Sequence, residues 1–441
     1  MDNNLVPKKW CNLLKDFPSL YNESIHENKD LNLNGVGALP RQPLSLLRQS
    51  HNTDDADILI PQEILDQYLL YRPTPFRRAV QLENHLNTKT KIFYKYEGAN
   101  ISGSHKLNSA LAQAFYYKKA GYKHLVTGTG AGQWGSALAY ACKVFGLKCT
   151  IFMVDVSLNQ KPQRRDLMEL YGATVYSSPS TETKVGLDAI KKGYKNTGTL
   201  AIATGEAIIF TKNFSDAQFA VGSGENNVLL HQTIIGNEVL NQLEELDIFP
   251  DRVYACVGAG SNFAGIAFPI LRYSKSHNKN CKFIAVEPIA CPKLTRGIYT
   301  TDINDFSGTT PLSKMYTLGS KYNSPPIHAG GLRYHGTSSF LSALYHTGFI
   351  TATSISEEES LSAGLLFSQK EGILPAPESS YAIAAAIRDI HDNSKLDESI
   401  IINISGHGLY DMLSYQDYLL DRLIDDEPDE EMIKNSLSEF N

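Results

Sequence analysis

Residues 124–139 read HLVTGTGAGQWGSALA, and this stretch decides the fold. It combines an apolar strand end, a glycine-rich turn and a helix start, an order typical of α/β proteins. The turn matches G-x-G-x-x-G, and Asp155 follows about 20 residues after Gly135, so a dinucleotide site is one interpretation. The turn carries no acid, base or nucleophile, so any reacting group must come from elsewhere in the chain.

Several other short runs are apolar along their whole length, such as KCTIFMV from Lys148 and RVYACVG from Arg252. Such runs indicate strands covered on both faces, as in parallel sheets flanked by helices. Two glycine-rich loops follow strands more than 100 residues apart, which favours two doubly wound α/β domains. We predict a wrap over residues 1–71 that joins the C-terminal domain, an N-terminal domain with a mobile subdomain over 72–225, and a C-terminal domain over 226–441.

The composition narrows the class of protein. The chain has 441 residues, 42% hydrophobic and 20% charged, with a net charge of −6, so no basic surface argues for nucleic acid. The N-terminal residues lack the apolar core of a signal peptide, and no apolar run approaches the length that spans a bilayer. The six cysteines are scattered without a C-x-x-C pair, which favours reduced thiols, a cytoplasmic location and no metal site.

A lysine stands at a predicted helix start in NISGSHKLNSALAQAFYYKKAG, which begins at Asn100. Apolar residues recur after it at helical spacing, so Lys106 lies in the first turn, where the helix dipole disfavours a cation. Most lysines lie on the surface, but this position lowers the pKa of an amine, and a Schiff-base lysine needs a neutral amine. Its neighbour His105 is equally compatible with a structural role and with a place beside a phosphate.

The second glycine loop lies in VYACVGAGSNFAGIA, where an apolar strand runs into residues 258–262 and then into a helix. Successive backbone N–H groups and a serine hydroxyl suit one phosphate monoester. No Lys-Ser or Lys-Thr pair follows, so the loop is not a P-loop; it is otherwise compatible with a plain strand–helix turn. A phosphate loop together with a separate reactive lysine suggests pyridoxal phosphate.

These residues resemble a known family, the tryptophan synthase β chain of the second type, which usually works without an α chain. The resemblance covers about residues 60–420 and rests on long motifs in the same order. They include YRPTPFRRAVQLE from Tyr71, YKYEGANISGSHKLNSA from Tyr94, TGAGQWGSALAYAC from Thr129, QKPQRRDLMELYGATVYSSPS from Gln160, LLHQTIIGNE from Leu229, VEPIACPKLTRG from Val286, PPIHAGGLRYHG from Pro325, GILPAPESSYAI from Gly372 and NISGHG from Asn403.

The resemblance implies a fold type II enzyme, with two three-layer α/β domains and the active site between them. It implies pyridoxal phosphate as the cofactor, allows a monovalent cation, and favours a homodimer without an α-chain partner. Lys106 would bind the cofactor covalently, Ser405 would face the pyridine nitrogen, and Glu287 would lie near the ring. The phosphate would be held by Gly258, Ala259, Gly260, Ser261 and Asn262, with His105 nearby. The substrate carboxylate would be bound by Thr129, Gly130, Ala131, Gly132, Gln133 and Trp134, so the first loop would not bind a dinucleotide.

The reaction implied by the resemblance is β-replacement on serine or a serine-like amino acid. Lys106 would remove the α-proton, the β-hydroxyl would leave, and a nucleophile, which is indole in the family, would add to the β-carbon. One alternative is β-elimination, as in a serine or threonine dehydratase, in which water completes the reaction. Another is replacement with a nucleophile other than indole. A descendant that only binds ligands is disfavoured because it would not need the Lys106 amine.

One position departs from the family. A glutamate precedes the T-G-A-G-Q-W-G run in the family, where it assists departure of the hydroxyl and handles the indole proton, and Gly128 stands there in this chain. Glycine supplies no acid, and we expect it to leave space where the acid would stand. We therefore expect that Gly128→Glu raises tryptophan formation. ATGEA from Ala203 and FAVGSGENN from Phe219 also differ from the family pattern. Glu225 is a candidate replacement acid, and an exposed loop acid is the alternative.

Overall fold

The computed structural model describes residues 5–26, 42–196, 198–305, 308, 310–392, 397–424 and 426–440. The strands are β1 (Lys9–Cys11), β2 (Asp57–Leu59), β3 (Phe76–Arg78), β4 (Lys91–Tyr96), β5 (His124–Thr129), β6 (Lys148–Val154), β7 (Thr174–Ser178), β8 (Ala217–Phe219), β9 (Arg252–Cys256), β10 (Lys282–Pro288), β11 (Ile298–Asp302), β12 (Ser313–Thr317), β13 (Thr351–Ile355) and β14 (Ser399–Ile404). The helices are α1 (Pro18–His26), α2 (Leu44–Ser50), α3 (Gln62–Tyr68), α4 (Val80–Leu86), α5 (Lys106–Lys119), α6 (Gln133–Phe145), α7 (Asp155–Gln160), α8 (Pro162–Leu170), α9 (Lys184–Lys191), α10 (Leu200–Thr211), α11 (Asn226–Gln232), α12 (Ile234–Leu246), α13 (Ser261–Ser276), α14 (Ser339–His346), α15 (Glu357–Glu371), α16 (Pro377–Asp392), α17 (Met412–Leu419) and α18 (Glu430–Leu437).

Two separate sheets carry the fold. The larger one has six strands in the order β13-β10-β9-β14-β4-β3, and only the β3–β4 pair is antiparallel. The smaller one has four parallel strands in the order β7-β6-β5-β8. Helices α13 and α16 both pack on β9 and β14, which explains why these strands are apolar throughout. The predicted α/β class is confirmed, with one parallel sheet and one sheet that is parallel except for its β3–β4 pair.

Two strands that follow the predicted boundary at residue 72 lie in the six-stranded sheet. β3 and β4 fall within the range assigned to the N-terminal domain, yet they belong to the six-stranded sheet. β4 pairs with β14, where Ile400 lies opposite Ile92 and Ile404 lies opposite Tyr96. The apolar pattern of β4 predicts a buried strand but carries no information on which distant strand it joins, so the sheet could not be assigned from the sequence.

The N-terminal segment packs on helices that follow residue 226. β1 pairs with β2, and the Cys11 backbone N–H donates to the Thr233 hydroxyl at 2.8 Å. α2 lies against α11, where the Asn227 side-chain amide donates to Ser50 Oγ at 2.8 Å and to Gln42 Oε1 at 2.9 Å. The wrap predicted for residues 1–71 is thus joined, in its described part, to the C-terminal half of the chain.

Within the described ranges, no helix is both long enough and apolar enough to cross a membrane. The same ranges contain no group of three His, Cys, Asp or Glu side chains placed to hold a metal ion. All six cysteines are unpaired thiols, and five of them are buried.

Candidate active site

A cavity of about 710 Å³ lies where the two glycine loops meet. The first loop connects β5 to α6 and the second connects β9 to α13, so both follow the carboxyl ends of parallel strands. This is where ligands bind in doubly wound sheets. The start of α5 and Ser405, which follows β14, complete the wall. Residues that are far apart in the sequence are therefore brought to one site.

Lys106 is the first residue of α5 and lines this cavity. The turn before it is fixed because the His105 backbone N–H donates to the Ser405 carbonyl at 2.8 Å. Burial lowers the pKa of Lys106, and the carboxylate of Glu378 opposes this effect. The depressed pKa expected from the helix start is found, and burial is its main cause. Burial thus favours the neutral amine of Lys106, the form that a Schiff-base lysine needs.

The second glycine loop lies beside His105. Gly260 has φ of 117°, which favours glycine, and a Cβ at Gly258 would lie 2.6 Å from the Gly331 carbonyl oxygen. The His105 ring contacts Ser261 Oγ through Nε2 at 3.2 Å. Burial, assisted by the charge of Lys106, lowers the pKa of His105 well below its ordinary value, so the ring is neutral. The loop presents N–H groups, a hydroxyl and a neutral imidazole to one place.

Ser405 lies at the end of β14 and is hydrogen-bonded to Ser379, with 2.8 Å between the two hydroxyl oxygens. The Cys256 thiol lies 3.7 Å from the same Ser405 oxygen. Burial raises the pKa of Cys256 to about 12, so both neighbours of the Ser405 hydroxyl are uncharged. A neutral group is thereby presented at this end of the cavity.

Two side chains of the first glycine loop are fixed by hydrogen bonds. Trp134 Nε1 donates to Thr127 Oγ1 at 2.7 Å, and the Gln133 side chain donates to Glu378 Oε2 at 2.8 Å. The predicted substrate residues that line the cavity are Thr129, Gly130, Ala131, Gln133 and Trp134. Gly132 does not line it; with φ of 89° it forms the left-handed turn that starts α6.

Glu287 makes its hydrogen bonds outside the cavity, and its place near the cofactor ring stays a prediction. Its carboxylate accepts the backbone N–H of Thr295 at 2.8 Å and of Leu294 at 3.0 Å, and it does not line the cavity. The acid that does line it beside Lys106 is Glu378, in the first turn of α16. Glu378 lies within a quoted motif, but an acid in a first helical turn is common, so no local pattern pointed to its role.

Gly128 does not leave space, contrary to expectation. A Cβ at Gly128 would lie 2.7 Å from the Ala203 carbonyl carbon and 2.7 Å from the Thr204 backbone nitrogen, both in α10. The backbone of α10 fills the volume that a side chain would need, and Thr204 lines the cavity at this wall. No carboxylate can be placed at residue 128 unless α10 moves.

Glu225 lines the cavity and is partly buried, so it is not an exposed loop acid. It precedes α11 and makes no side-chain cap hydrogen bond. Burial raises the pKa of Glu225. The charge of Glu225 raises the pKa values of three tyrosines, in addition to the larger effect of burial: Tyr21, Tyr117 and Tyr334. It is not among the causes of the lowered pKa of Lys106. The two acids Glu378 and Glu225 therefore serve different parts of the cavity.

Comparison with known proteins identifies the family. Residues 68–406 match the family described as pyridoxal-phosphate dependent enzyme. The tryptophan synthase beta chain of Thermosipho africanus is 48% identical over 412 residues, which cover 93% of this chain and 97% of that one. The tryptophan synthase beta chain 2 of Aeropyrum pernix is 45% identical over 430 residues, which cover 96% of each. The chain belongs to the tryptophan synthase β chain family of pyridoxal-phosphate dependent enzymes. The predicted family is confirmed.

Solved structures support the fold of this pyridoxal-phosphate dependent enzyme. An L-serine ammonia-lyase from Rhizomucor miehei has a TM-score of 0.58 at 17% identity and covers 79% of this chain and 98% of its own. A T.th. threonine deaminase has a TM-score of 0.58 at 20% identity and covers 78% of this chain and 97% of its own. At these identities the likeness concerns the fold, which is fold type II.

The cavity fits pyridoxal phosphate, the cofactor of this family. It contains the Lys106 amine, whose pKa is lowered, and the second glycine loop, where a Cβ at Gly258 would collide with the backbone. It also contains a neutral hydroxyl at Ser405. Lys106 would hold the aldehyde carbon and the loop would hold the phosphate, through backbone N–H groups at the start of α13.

Proposed function

We propose that this enzyme catalyses β-replacement on serine or a serine-like amino acid, with altered acid–base chemistry at the β-carbon. The observation that carries the proposal is that one cavity contains Lys106, both glycine loops and a glycine at residue 128. The relatives at 43–49% identity, which are named tryptophan synthase beta chains, support the reaction type. The closed wall at Gly128 supports the altered chemistry.

Each group in the cavity has a separate task. Bound pyridoxal phosphate supplies an electron sink for charge that develops at the α-carbon. The Lys106 amine removes the α-proton and returns it, for which its lowered pKa is suited. Backbone N–H groups of the first glycine loop that line the cavity bind the α-carboxylate, and Glu378 keeps the Gln133 side chain in place at that loop. The Ser405 hydroxyl would be the neutral partner of the ring nitrogen.

The acid–base group for the second substrate is Glu225. The position of the family glutamate is closed by α10, and Glu225 is the remaining described acid that lines the cavity besides Glu378. Its raised pKa brings it closer to the range in which a carboxylate exchanges protons near neutral pH. Thr204, on the wall beside Gly128, has no ionisable side chain and cannot perform this task.

The test begins with purified protein and its absorbance spectrum. We expect the band of covalently bound pyridoxal phosphate, its loss in Lys106→Ala, and at least about a thousandfold loss of turnover in that variant. Serine and indole are then added and the products read by mass spectrometry. Formation of a β-substituted alanine supports the proposal. Pyruvate and ammonia without such a product would show β-elimination, the alternative, and a spectrum unchanged by Lys106→Ala would overturn both.

A further inference from the structure

The part of the cavity around Glu225 is chemically distinct from the part around Lys106. We call it the outer compartment and define it by Leu44, Leu47, His51, Thr204, Glu225 and Leu312, all of which line the cavity. Three of these are large apolar side chains at the mouth: Leu44 is 62% exposed, Leu47 37% and Leu312 39%. A partly buried carboxylate thus lines the same cavity as three exposed apolar side chains.

The negative charge of Glu225 is not compensated within the described residues. Its carboxylate accepts no hydrogen bond there, and burial alone accounts for the pKa that rises above the ordinary range. His51 contacts the Tyr21 hydroxyl, and burial lowers the pKa of His51, so the ring supplies no positive charge. The Tyr117 hydroxyl donates to the Phe219 carbonyl and the Tyr334 hydroxyl to Asn304, so neither donates to Glu225.

An uncompensated carboxylate in a cavity wall is costly unless a ligand pairs with it. Indole offers one weak N–H donor and no positive charge, so it would leave the carboxylate largely unpaired. An ammonium group supplies both a charge and several donors. The leucines that line the same cavity would cover an alkyl or aryl substituent on the same nitrogen.

We propose that the outer compartment binds a primary amine with an apolar substituent as the nucleophile, its ammonium paired with the carboxylate of Glu225. This inference rests on the proposed function, because it names the second substrate of that reaction.

The reaction balances without a further reactant. Glu225 accepts a proton from the ammonium, which frees the nitrogen lone pair. The bond between the serine β-carbon and its hydroxyl breaks, a bond from nitrogen to the β-carbon forms, and the hydroxyl leaves as water with the proton that Glu225 had accepted. After it binds the β-carbon, the nitrogen releases one proton to solvent and becomes a secondary amine. This secondary amine binds a proton again in water. Serine and the amine thus give an N-substituted 2,3-diaminopropionate and one water.

Binding is tested first, without serine, so that turnover is not required. The holoenzyme is titrated calorimetrically with butylamine, and with 1-butanol as a neutral probe of the same size. We expect butylamine to bind at least about tenfold more tightly than butanol, and Glu225→Gln to abolish that preference. Glu63→Gln, which removes an exposed carboxylate on α3, is the matched control and should leave it unchanged. Equal affinity for both probes in the native enzyme would overturn the inference.

Turnover is tested next with serine and either butylamine or indole. We expect the native enzyme to form the butylamine adduct and Glu225→Gln to lose at least about tenfold in kcat/KM for butylamine. In Glu225→Leu we expect the preference to shift from butylamine towards indole, because the wall becomes apolar. The cofactor absorbance band shows that each variant is folded. Tryptophan without any amine adduct would overturn this inference alone, whereas the absence of every β-substituted product would overturn the proposed function and this inference with it.

Discussion

At the scale of single residues, Gly128 shows how packing can fix the chemistry that a site is able to perform. The missing side chain is not an empty place, because the backbone of α10 stands 2.7 Å from where its Cβ would be. A side chain at residue 128 would therefore have to displace the backbone of α10, so substitution at this residue alone is not expected to place an acid in the cavity.

We predict that Gly128→Glu does not raise tryptophan formation and lowers stability. The new Cβ meets backbone atoms of α10, which cannot rotate away as a side chain could, and overpacking typically costs about 1–3 kcal/mol. Thermal unfolding and product analysis check both parts. Gly128→Ala separates the causes, since it adds the Cβ without the charge and should be destabilised to a similar extent. A stable Gly128→Glu enzyme with faster tryptophan formation would contradict the packing argument.

The residues of the site differ in how far the sequence predicts them. Lys106 and the second glycine loop can be predicted because a helix start and a strand–loop–helix turn are local features. Glu378 could not be found in this way, because its place depends on α16 approaching Gln133 of α6. The family resemblance places Glu287 near the ring, although its hydrogen bonds go to the next turn of its own chain.

At the scale of elements, the contact between α2 and α11 forms one wall of the cavity. His231 on α11 contacts Gln49 on α2, with 2.8 Å from Nε2 to Oε1, and its ring stacks against Tyr116 at a centroid distance of 6.2 Å. The imidazole is fully buried among these groups. A charged ring there would lack a counter-charge, so the wall depends on a neutral histidine.

We predict that His231 makes stability depend on pH below about 6.5. Burial lowers the pKa of His231 from 6.5 to about 3, so between these values the unfolded chain binds a proton that the native state does not. The free energy of unfolding therefore falls as the pH drops through this window, by up to about 1.4 kcal/mol per unit. Denaturant unfolding at several pH values should show a shallower dependence for His231→Gln.

Gln49→Leu is the control for this prediction. It removes the hydrogen-bond partner on α2 but keeps the titrating ring, so the protein should be less stable at every pH while the pH dependence stays. If the difference between the native protein and His231→Gln is the same at pH 7 and pH 4.5, the histidine is not the group responsible.

At the scale of the whole molecule, a buried ionic network joins Arg72, which precedes β3, to the six-stranded sheet and to α12. Arg72 pairs with Glu97 at 2.6 Å and with Glu238 at 3.0 Å, and Lys95 pairs with Glu238 at 2.5 Å. Burial alone would raise the pKa of Glu238, but Arg72 and Lys95 hold it below its ordinary value. The same Arg72 reaches Asn108 on α5, two residues beyond Lys106.

We predict that Glu238→Gln lowers the free energy of unfolding by about 3–5 kcal/mol, because buried Lys95 loses its ion-pair partner and Arg72 keeps only Glu97. The control is Glu169→Gln, which breaks the exposed pair between Arg165 and Glu169 and should cost under about 0.5 kcal/mol. Urea unfolding measures both. If both variants lost the same free energy of unfolding, the buried network would not stabilise the protein more than an exposed ion pair does.

The division of the chain between its sheets marks the limit of what local patterns predict. The strand type of β4 follows from its apolar run, but its partner β14 lies about 300 residues further along the chain. Long-range pairing of this kind depends on the packing of all the intervening helices, which no local pattern contains.

The attachment of α2 to α11 also has a consequence for synthesis on the ribosome. Asn227 donates to Ser50 across 177 residues of chain, so the segment that carries Ser50 emerges long before its partner exists. At about 5–20 residues per second, the delay is roughly 9–35 s. This wall of the cavity is thus among the first parts of the site to be made, and α2 has to wait for α11 before it can dock.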